Sequence, residues 1–428
     1  MPYFKIRSVF LSKNKLYSLW ENLKAKIDLI FLTFATYFLL FKRTGIGTGS
    51  SYQNLDGGGD LTTLLIFLFS WVLIFTGRHV FNKKTLVICL TTVGLLIINY
   101  LLTPLASFKW LLNWCGFLVI FLYFSNLMIY LSSANTYALQ RYSVNAFTVT
   151  MFVFFIWISP IWFESYEYLL LDISLTNSQT LAQFTTELGI LKQHLAYFCA
   201  LIFISGFVFW HQLPRSSKLI FIIFSALLIP IIISSRSLFF GSILTLLWHY
   251  WSKNNIRLVM GLIIFLVMLS FLFVAIGIDS ILFDYANNRV IGMMLAWDLV
   301  NDSIFGIGNG GYHIYVLSHP ELASIYPDTL GFPVAPESDV TYFIASWGVL
   351  AGFFIAFYWF ILKRGSFVLH FSKKILPIER VYIYMSWILI FMGLGEDNAG
   401  SLIWFVFMAL SFGVITRRST ELLAIRRS

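Results

Sequence analysis

Charge is what this sequence has least of. Only 11% of its 428 residues are Asp, Glu, Lys or Arg, against about 25% in soluble domains, which excludes an ordinary water-soluble globule. Cysteine is scarce too. Cys89, Cys115 and Cys199 all fall inside apolar runs, which excludes a disulfide framework and leaves no zinc-finger spacing. His313 and His319, with Glu321 nearby, match no strong metal template, so neither a metal nor a cofactor is expected. The basic start leads into an apolar stretch without an A-x-A-like site, so no cleavable leader is expected. Internal repeats and low-complexity tracts are also missing. What fills the chain is apolar: 59% of residues are hydrophobic and the mean hydropathy is +0.81, which makes lipid the solvent.

Stretches that can cross about 30 Å of hydrocarbon need about 20 apolar residues each. About twelve are found, near 27–41, 61–77, 85–103, 108–131, 144–163, 194–213, 218–234, 237–251, 257–277, 340–362, 381–395 and 401–416. The expected fold class is therefore an all-α polytopic membrane protein. Residues 1–26 form a basic N-terminus, 27–277 hold nine spans, and 278–339 form one large outer loop containing short helices. Residues 340–416 hold three more spans and 417–428 a tail.

The net charge of +9 raises nucleic acid as a partner, but the basic residues sit in short loops between spans, so none is expected. With both termini cytoplasmic, 23 of the 29 Lys and Arg fall inside, and Lys42, Arg43, Lys109, Lys192, Arg236 and Arg289 fall outside. Every inside loop then obeys the positive-inside rule. Of the 20 acidic residues only Glu21, Asp28, Glu379 and Glu421 are inside. This balance requires a tight hairpin turn at 234–237, which puts Arg236 at its outer tip. Two outer loops are long, about 164–193 and about 278–339, and the second is the natural place for chemistry.

Arg236 and Arg289 stand isolated on an otherwise acidic outer face. A guanidinium offers a planar fork of donors suited to phosphate oxygens; the plainer alternative is snorkelling to headgroups or pairing with Asp284 or Asp339. "RVIGMMLAWDLVNDSIFG" places Val290, Met293, Met294 and Trp297 on one face of a helix suited to the membrane interface. "FGIGNGG" follows, with Gly306, Gly308 and Gly311. No strand precedes it, so it is no dinucleotide fingerprint. It is either an anion-cradling loop or a tight turn closing the helix. In "PVAPESDVTYF", Ser338 or Asp339 caps the next helix, and Glu337 sits by its positive end. An ionised carboxylate there is placed to act as general base on a sugar hydroxyl; Glu337 is the first choice, with Asp339 and His313 behind it. Asp56 and Asp60 in "NLDGGGD" have metal-binding chemistry, with a solvated loop the more ordinary reading.

These elements, taken in order, resemble the bacterial O-antigen polymerases and ligases and the related exopolysaccharide polymerases. The resemblance covers roughly residues 234–352. It rests on "SSRS" between two spans, then an arginine followed by a tryptophan in a long outer loop, then "GIGNGG", then "SWGVLAG" entering a span. It implies a GT-C-like glycosyltransferase that works without metal on a glycan carried by undecaprenyl diphosphate. The membrane would be the bacterial inner (cytoplasmic) membrane, with the site facing the periplasm. It also implies that Arg236 and Arg289 bind the diphosphate, and that membrane lipid and a chain-length-determining membrane protein are partners. Ligases of this family carry a His-Asn pair before the last motif, where this chain has Glu337-Ser338, so polymerisation is expected over transfer to lipid A–core. A twelve-helix transporter is the alternative of a different class; it would show mid-membrane charges and two symmetric halves.

Overall fold

Where no water reaches the backbone, each N–H and C=O needs an internal partner, and a single chain segment meets that need only as a helix. The computed structural model describes residues 26–37, 82–175, 192–234, 236–253, 292–319, 338–372, 374–394 and 401–427, and among them there are helices and turns but no strand. In chain order the helices are α1 (26–37), α2 (Lys83–Leu102), α3 (Phe108–Tyr130), α4 (Ser133–Leu175), α5 (Lys192–Phe209), α6 (Arg215–Ser234) and α7 (Arg236–Ser252). There follow α8 (292–302), α9 (Gly311–Ser318), α10 (Asp339–Trp347), α11 (Ala351–Phe371), α12 (Pro377–Met392) and α13 (Leu402–Arg427). Four described segments are long and apolar enough to cross a membrane: Lys83–Leu102, Trp110–Tyr130, Asp339–Phe371 and Leu402–Ala424. The protein is thus a helical membrane protein.

Ten of the twelve expected spans coincide with described helices; those near 61–77 and 257–277 lie outside the described residues. One expectation about a loop needs correcting. The helix expected at 144–163 is α4, which runs 43 residues from Ser133 to Leu175, about 65 Å at 1.5 Å per residue. Nothing in "FESYEYLLLDISL" breaks a helix, so it continues into the expected outer loop, and Pro160 is accommodated within it. In the expected tail, 417–428, α13 continues to Arg427, and Arg417 and Arg418 are buried. The expected break between the seventh and eighth spans is present, α6 ending at Ser234 and α7 beginning at Arg236.

α13 is apolar on every side along its first four turns, and such a helix belongs at the centre of a bundle. It lies there, against α3, α11 and α12. Small residues set the closest approaches, as expected where lipid gives no hydrophobic drive and packing carries association. A Cβ on Gly413 of α13 would stand 2.6 Å from Met128 Cβ and 2.7 Å from the Ser125 carbonyl of α3. One on Gly241 of α7 would stand 2.8 Å from Met392 Cγ of α12.

The bundle has two chemically different ends. One gathers the α2–α3 turn, the glycine segment, the start of α10 and Gly393. The other gathers the α3–α4 junction, the start of α6, the end of α7, the α11–α12 junction and the last turns of α13. Here Glu379, fully buried, accepts from Arg417 Nη2, from Arg418 Nε at 3.0 Å and Nη2 at 2.7 Å, and from the Leu376 N–H at 2.7 Å. Arg417 also donates to the Leu131 carbonyl at 2.9 Å. This cluster ties the starts of α4 and α12 to α13. Removing one partner of such a buried group costs about 3–5 kcal/mol, because the rest is left with uncompensated charge.

Candidate functional site

The other end brings together segments far apart in the chain, and a single amide organises them. Asn99 lies one turn before the end of α2 and is 1% exposed. Its Nδ2 donates to the Ser346 carbonyl at 2.8 Å and the Phe305 carbonyl at 3.3 Å, and its Oδ1 accepts the Asn309 N–H at 2.9 Å. All three bonds are to backbone, so the side chain acts as a spacer that fixes the glycine segment between α2 and α10.

The glycine segment is a packed junction. Ile307 N–H donates to the Ala345 carbonyl at 2.9 Å and Gly308 N–H to the Ser346 carbonyl at 3.2 Å. On the other side Leu105 N–H donates to the Ile307 carbonyl and Ser107 N–H to the Asn309 carbonyl, each at 3.2 Å. Gly306 closes the turn after α8 through the Ser303 carbonyl at 2.8 Å, and Gly311 N–H goes to the Gly308 carbonyl at 2.9 Å. Of the two sequence readings, the tight turn is what the structure contains. The N–H groups of Gly306, Ile307, Gly308, Asn309 and Gly311 all have protein acceptors. Gly306 and Gly308 hold φ of +76° and +107°, and a Cβ on either would lie 2.5 Å from backbone of the facing segment.

α8 meets this junction through Leu295, Ala296 and Leu299, which are buried with Ile307, Tyr312, Val316 and Ala345. Met293, Met294 and Trp297 are exposed on its other side. The apolar face expected at the membrane interface is therefore present over these three residues and is not used for internal packing.

α10 begins where Ser338 caps it, its Oγ accepting the Thr341 N–H at 3.1 Å. Asp339 is the first helical residue and is fully buried. Its N–H donates to the Gly393 carbonyl at 2.7 Å, and its Oδ2 accepts from the Tyr358 hydroxyl at 2.7 Å. The Tyr358 oxygen in turn accepts from Trp404 Nε1 at 2.8 Å. An indole, a phenol and a carboxylate from α13, α11 and α10 thus form one chain. A side chain at Gly393 would run into that carboxylate. Next to it the Tyr342 hydroxyl donates to Asn309 Oδ1. Asn309 Nδ2, Ser346 Oγ and Trp347 Nε1 are buried without a partner among the described residues. Each such group carries a penalty of about 1–3 kcal/mol unless water or a ligand meets it.

Of the residues expected from the sequence, Gly306, Gly308, Gly311 and Asp339 share this end of the bundle. Arg289 and Glu337 lie outside the described residues. For Arg236 and His313 only the backbone belongs to them: Arg236 opens α7 and His313 lies in α9. His319 is occupied locally, its Nδ1 2.9 Å from the Tyr315 carbonyl and its ring stacked on Tyr315 at 4.1 Å. Among the described residues no group of three or more His, Cys, Asp or Glu stands ready for a metal. Sequence reasoning missed Asn99, Asn309, Tyr342, Tyr358 and Trp404. A polar amide near the end of an apolar span was a usable signal for Asn99; the aromatics are indistinguishable by sequence from lipid-facing ones.

No protein-family model matches this chain, and no curated protein matches it.

Proposed function

We propose that the protein is a surface-polysaccharide polymerase of the O-antigen type, acting on undecaprenyl-diphosphate-linked glycan at the periplasmic face of the bacterial inner membrane. Both termini are cytoplasmic in this reading, which follows from the distribution of Lys and Arg. The observation that carries it is the convergence at one bundle end of two parts of the long loop, the segment after α8 and the loop's close at Asp339 where α10 begins, joined through Asn99. Of the two loop residues named from the sequence, Glu337 falls between these anchored segments and Arg289 precedes α8. The packed charges also favour an enzyme over a transporter, because Asp339 and the Glu379 cluster sit at opposite bundle ends and not at mid-membrane.

The reaction is a displacement at the anomeric carbon. An acceptor hydroxyl forms the new C–O bond as the bond to diphosphate breaks, with inversion. The electron pair leaves on the diphosphate, and the hydroxyl proton passes to a carboxylate. Arg236 and Arg289 hold the departing charge, the guanidinium fork matching two phosphate oxygens. Arg236 opens α7, so the positive helix end adds to its charge. Glu337 is the preferred base, and Asp339, held by Tyr358, is the second.

The test is incubation of the purified protein with its cognate lipid-linked repeat unit in chelator, with products resolved by chain length. A ladder that fails with Arg236→Ala supports the proposal. Product only after lipid A–core is added makes the protein a ligase. No glycan product from folded protein and cognate substrate refutes it.

A further inference from the structure

The opposite end of the bundle carries a polar cluster that the proposed chemistry does not use. α7 and α12 run antiparallel, Gly241 facing Met392 and His249 facing Tyr384. His249 Nδ1 lies 3.2 Å from the Tyr384 hydroxyl, and the two rings meet edge to face at 5.4 Å. Both side chains are half-buried between the helices. Lys253 and Arg380, one from each helix, lie within electrostatic range of the His249 ring, and Arg380 within range of Tyr384. The Lys253 position is fixed by a turn, its N–H donating to the Tyr250 carbonyl at 3.2 Å.

Both cations are exposed, and neither has an ion-pair partner among the described residues. The adjacent acid, Glu379, cannot neutralise Arg380, since it is fully buried and held by Arg417 and Arg418. Two cations without an ion-pair partner among the described residues thus flank a half-buried imidazole–phenol pair at a membrane edge. Aromatics mark that edge. Trp251 is exposed, and half-buried Trp248 donates to Ser366 Oγ at 2.7 Å and meets exposed Trp359 at 6.0 Å. Indole rings in such positions sit at headgroup level.

We propose that this polar cluster at the end of α7 and the start of α12 binds the phosphodiester headgroup of an anionic phospholipid. Arg380 and Lys253 supply the charge, His249 and Tyr384 the polar floor, and the Trp248–Trp359 face receives an acyl chain. Basic pockets between transmembrane helices recognise headgroups through this combination of charge and neighbouring apolar surface.

The experiment is native mass spectrometry and thermal melting of the full chain in neutral detergent, titrated separately with phosphatidylglycerol, phosphatidylcholine and inorganic phosphate. The variants are Lys253→Gln with Arg380→Gln, the single Arg380→Gln, and, as an equal-charge control at the same end, Arg215→Gln with Lys218→Gln. The wild type and the control pair should retain phosphatidylglycerol and melt higher with it, while phosphatidylcholine and phosphate have no effect. The Lys253/Arg380 pair should bind about thirty-fold more weakly, and Arg380→Gln alone about five-fold, at about one cation's worth of affinity each. Equal retention by the double variant overturns the site. So does an equal loss in the control pair, which would mean general surface charge, or stabilisation by phosphate alone, which would mean a soluble anion. The readout needs no polymerase activity, so it stands or falls independently of that proposal.

Discussion

Tyr358 donates its hydroxyl hydrogen to Asp339 Oδ2 across 2.7 Å, and through Trp404 it joins three helices to one carboxylate. The bond reaches from the middle of α11 to the first residue of α10 across the turn at Gly348. Replacing Tyr358 with Phe removes one donor from a buried carboxylate. The expected loss is about 1–3 kcal/mol of stability, read as a lower melting temperature in detergent. Trp404→Phe should also destabilise, since it removes the bond that orients Tyr358 and leaves space among Trp114, Tyr358 and Phe405.

Asn99 is expected to matter more than its place in an apolar helix implies. Asn99→Leu removes bonds to Ser346, Phe305 and Asn309 and strands buried backbone groups. At about 1 kcal/mol per bond, with the stranding penalty added, destabilisation of about 3 kcal/mol or more is expected. Limited proteolysis should show the first new cuts in the glycine segment, because that is the backbone Asn99 holds.

Gly306 and Gly348 face each other across the same junction, with φ of +76° and +54°. A Cβ at Gly306 would lie 2.5 Å from the Ala345 carbonyl, and one at Gly348 would strike the Ile304 carbonyl. Either residue changed to Ala should fail to assemble the end of the bundle, seen as aggregation on purification. Gly94→Ala is the matched control, since nothing lies within 4 Å of its added Cβ.

Glu379→Gln should be among the most damaging single changes distant from the site. It leaves Arg417 and Arg418 buried without their counter-charge, at about 3–5 kcal/mol. Adding Arg418→Gln should recover part of the loss, whereas two independent sites would give additive damage. A double-mutant cycle by thermal melting separates these outcomes.

How much of this was legible in the sequence depended on how local the signal was. Apolar length and the Lys/Arg pattern located ten helices, the break at Ser234–Arg236 and the two ends of the bundle. Ser338 was readable as a cap because the capping bond to Thr341 spans three residues. α4 was misjudged beyond its expected span because charge and hydropathy mark where a helix leaves lipid, not where it stops being a helix. The Glu379 cluster and the Trp404–Tyr358–Asp339 chain were hidden for another reason. Glu379 lies 38 and 39 residues from Arg417 and Arg418, and Asp339 lies 65 from Trp404, and nothing in a single sequence reports such pairings. The glycine segment was readable as a turn, but its role as the seam between α2 and α10 emerges only once the facing carbonyls are seen.

Arg236 bears most directly on the proposed activity, because in a reaction without metal it is one of two groups expected to hold the leaving diphosphate. The decisive measurement is chain extension of the cognate undecaprenyl-diphosphate repeat unit by purified protein in chelator, comparing wild type with Arg236→Lys and Arg236→Ala. A ladder from the wild type, reduced at least about tenfold by Lys and abolished by Ala, is the predicted result, since lysine keeps the charge but not the bidentate contact. Full activity with Arg236→Lys would contradict the forked diphosphate grip, and a ladder that disappears on chelation and returns with a divalent cation would contradict the metal-independent mechanism.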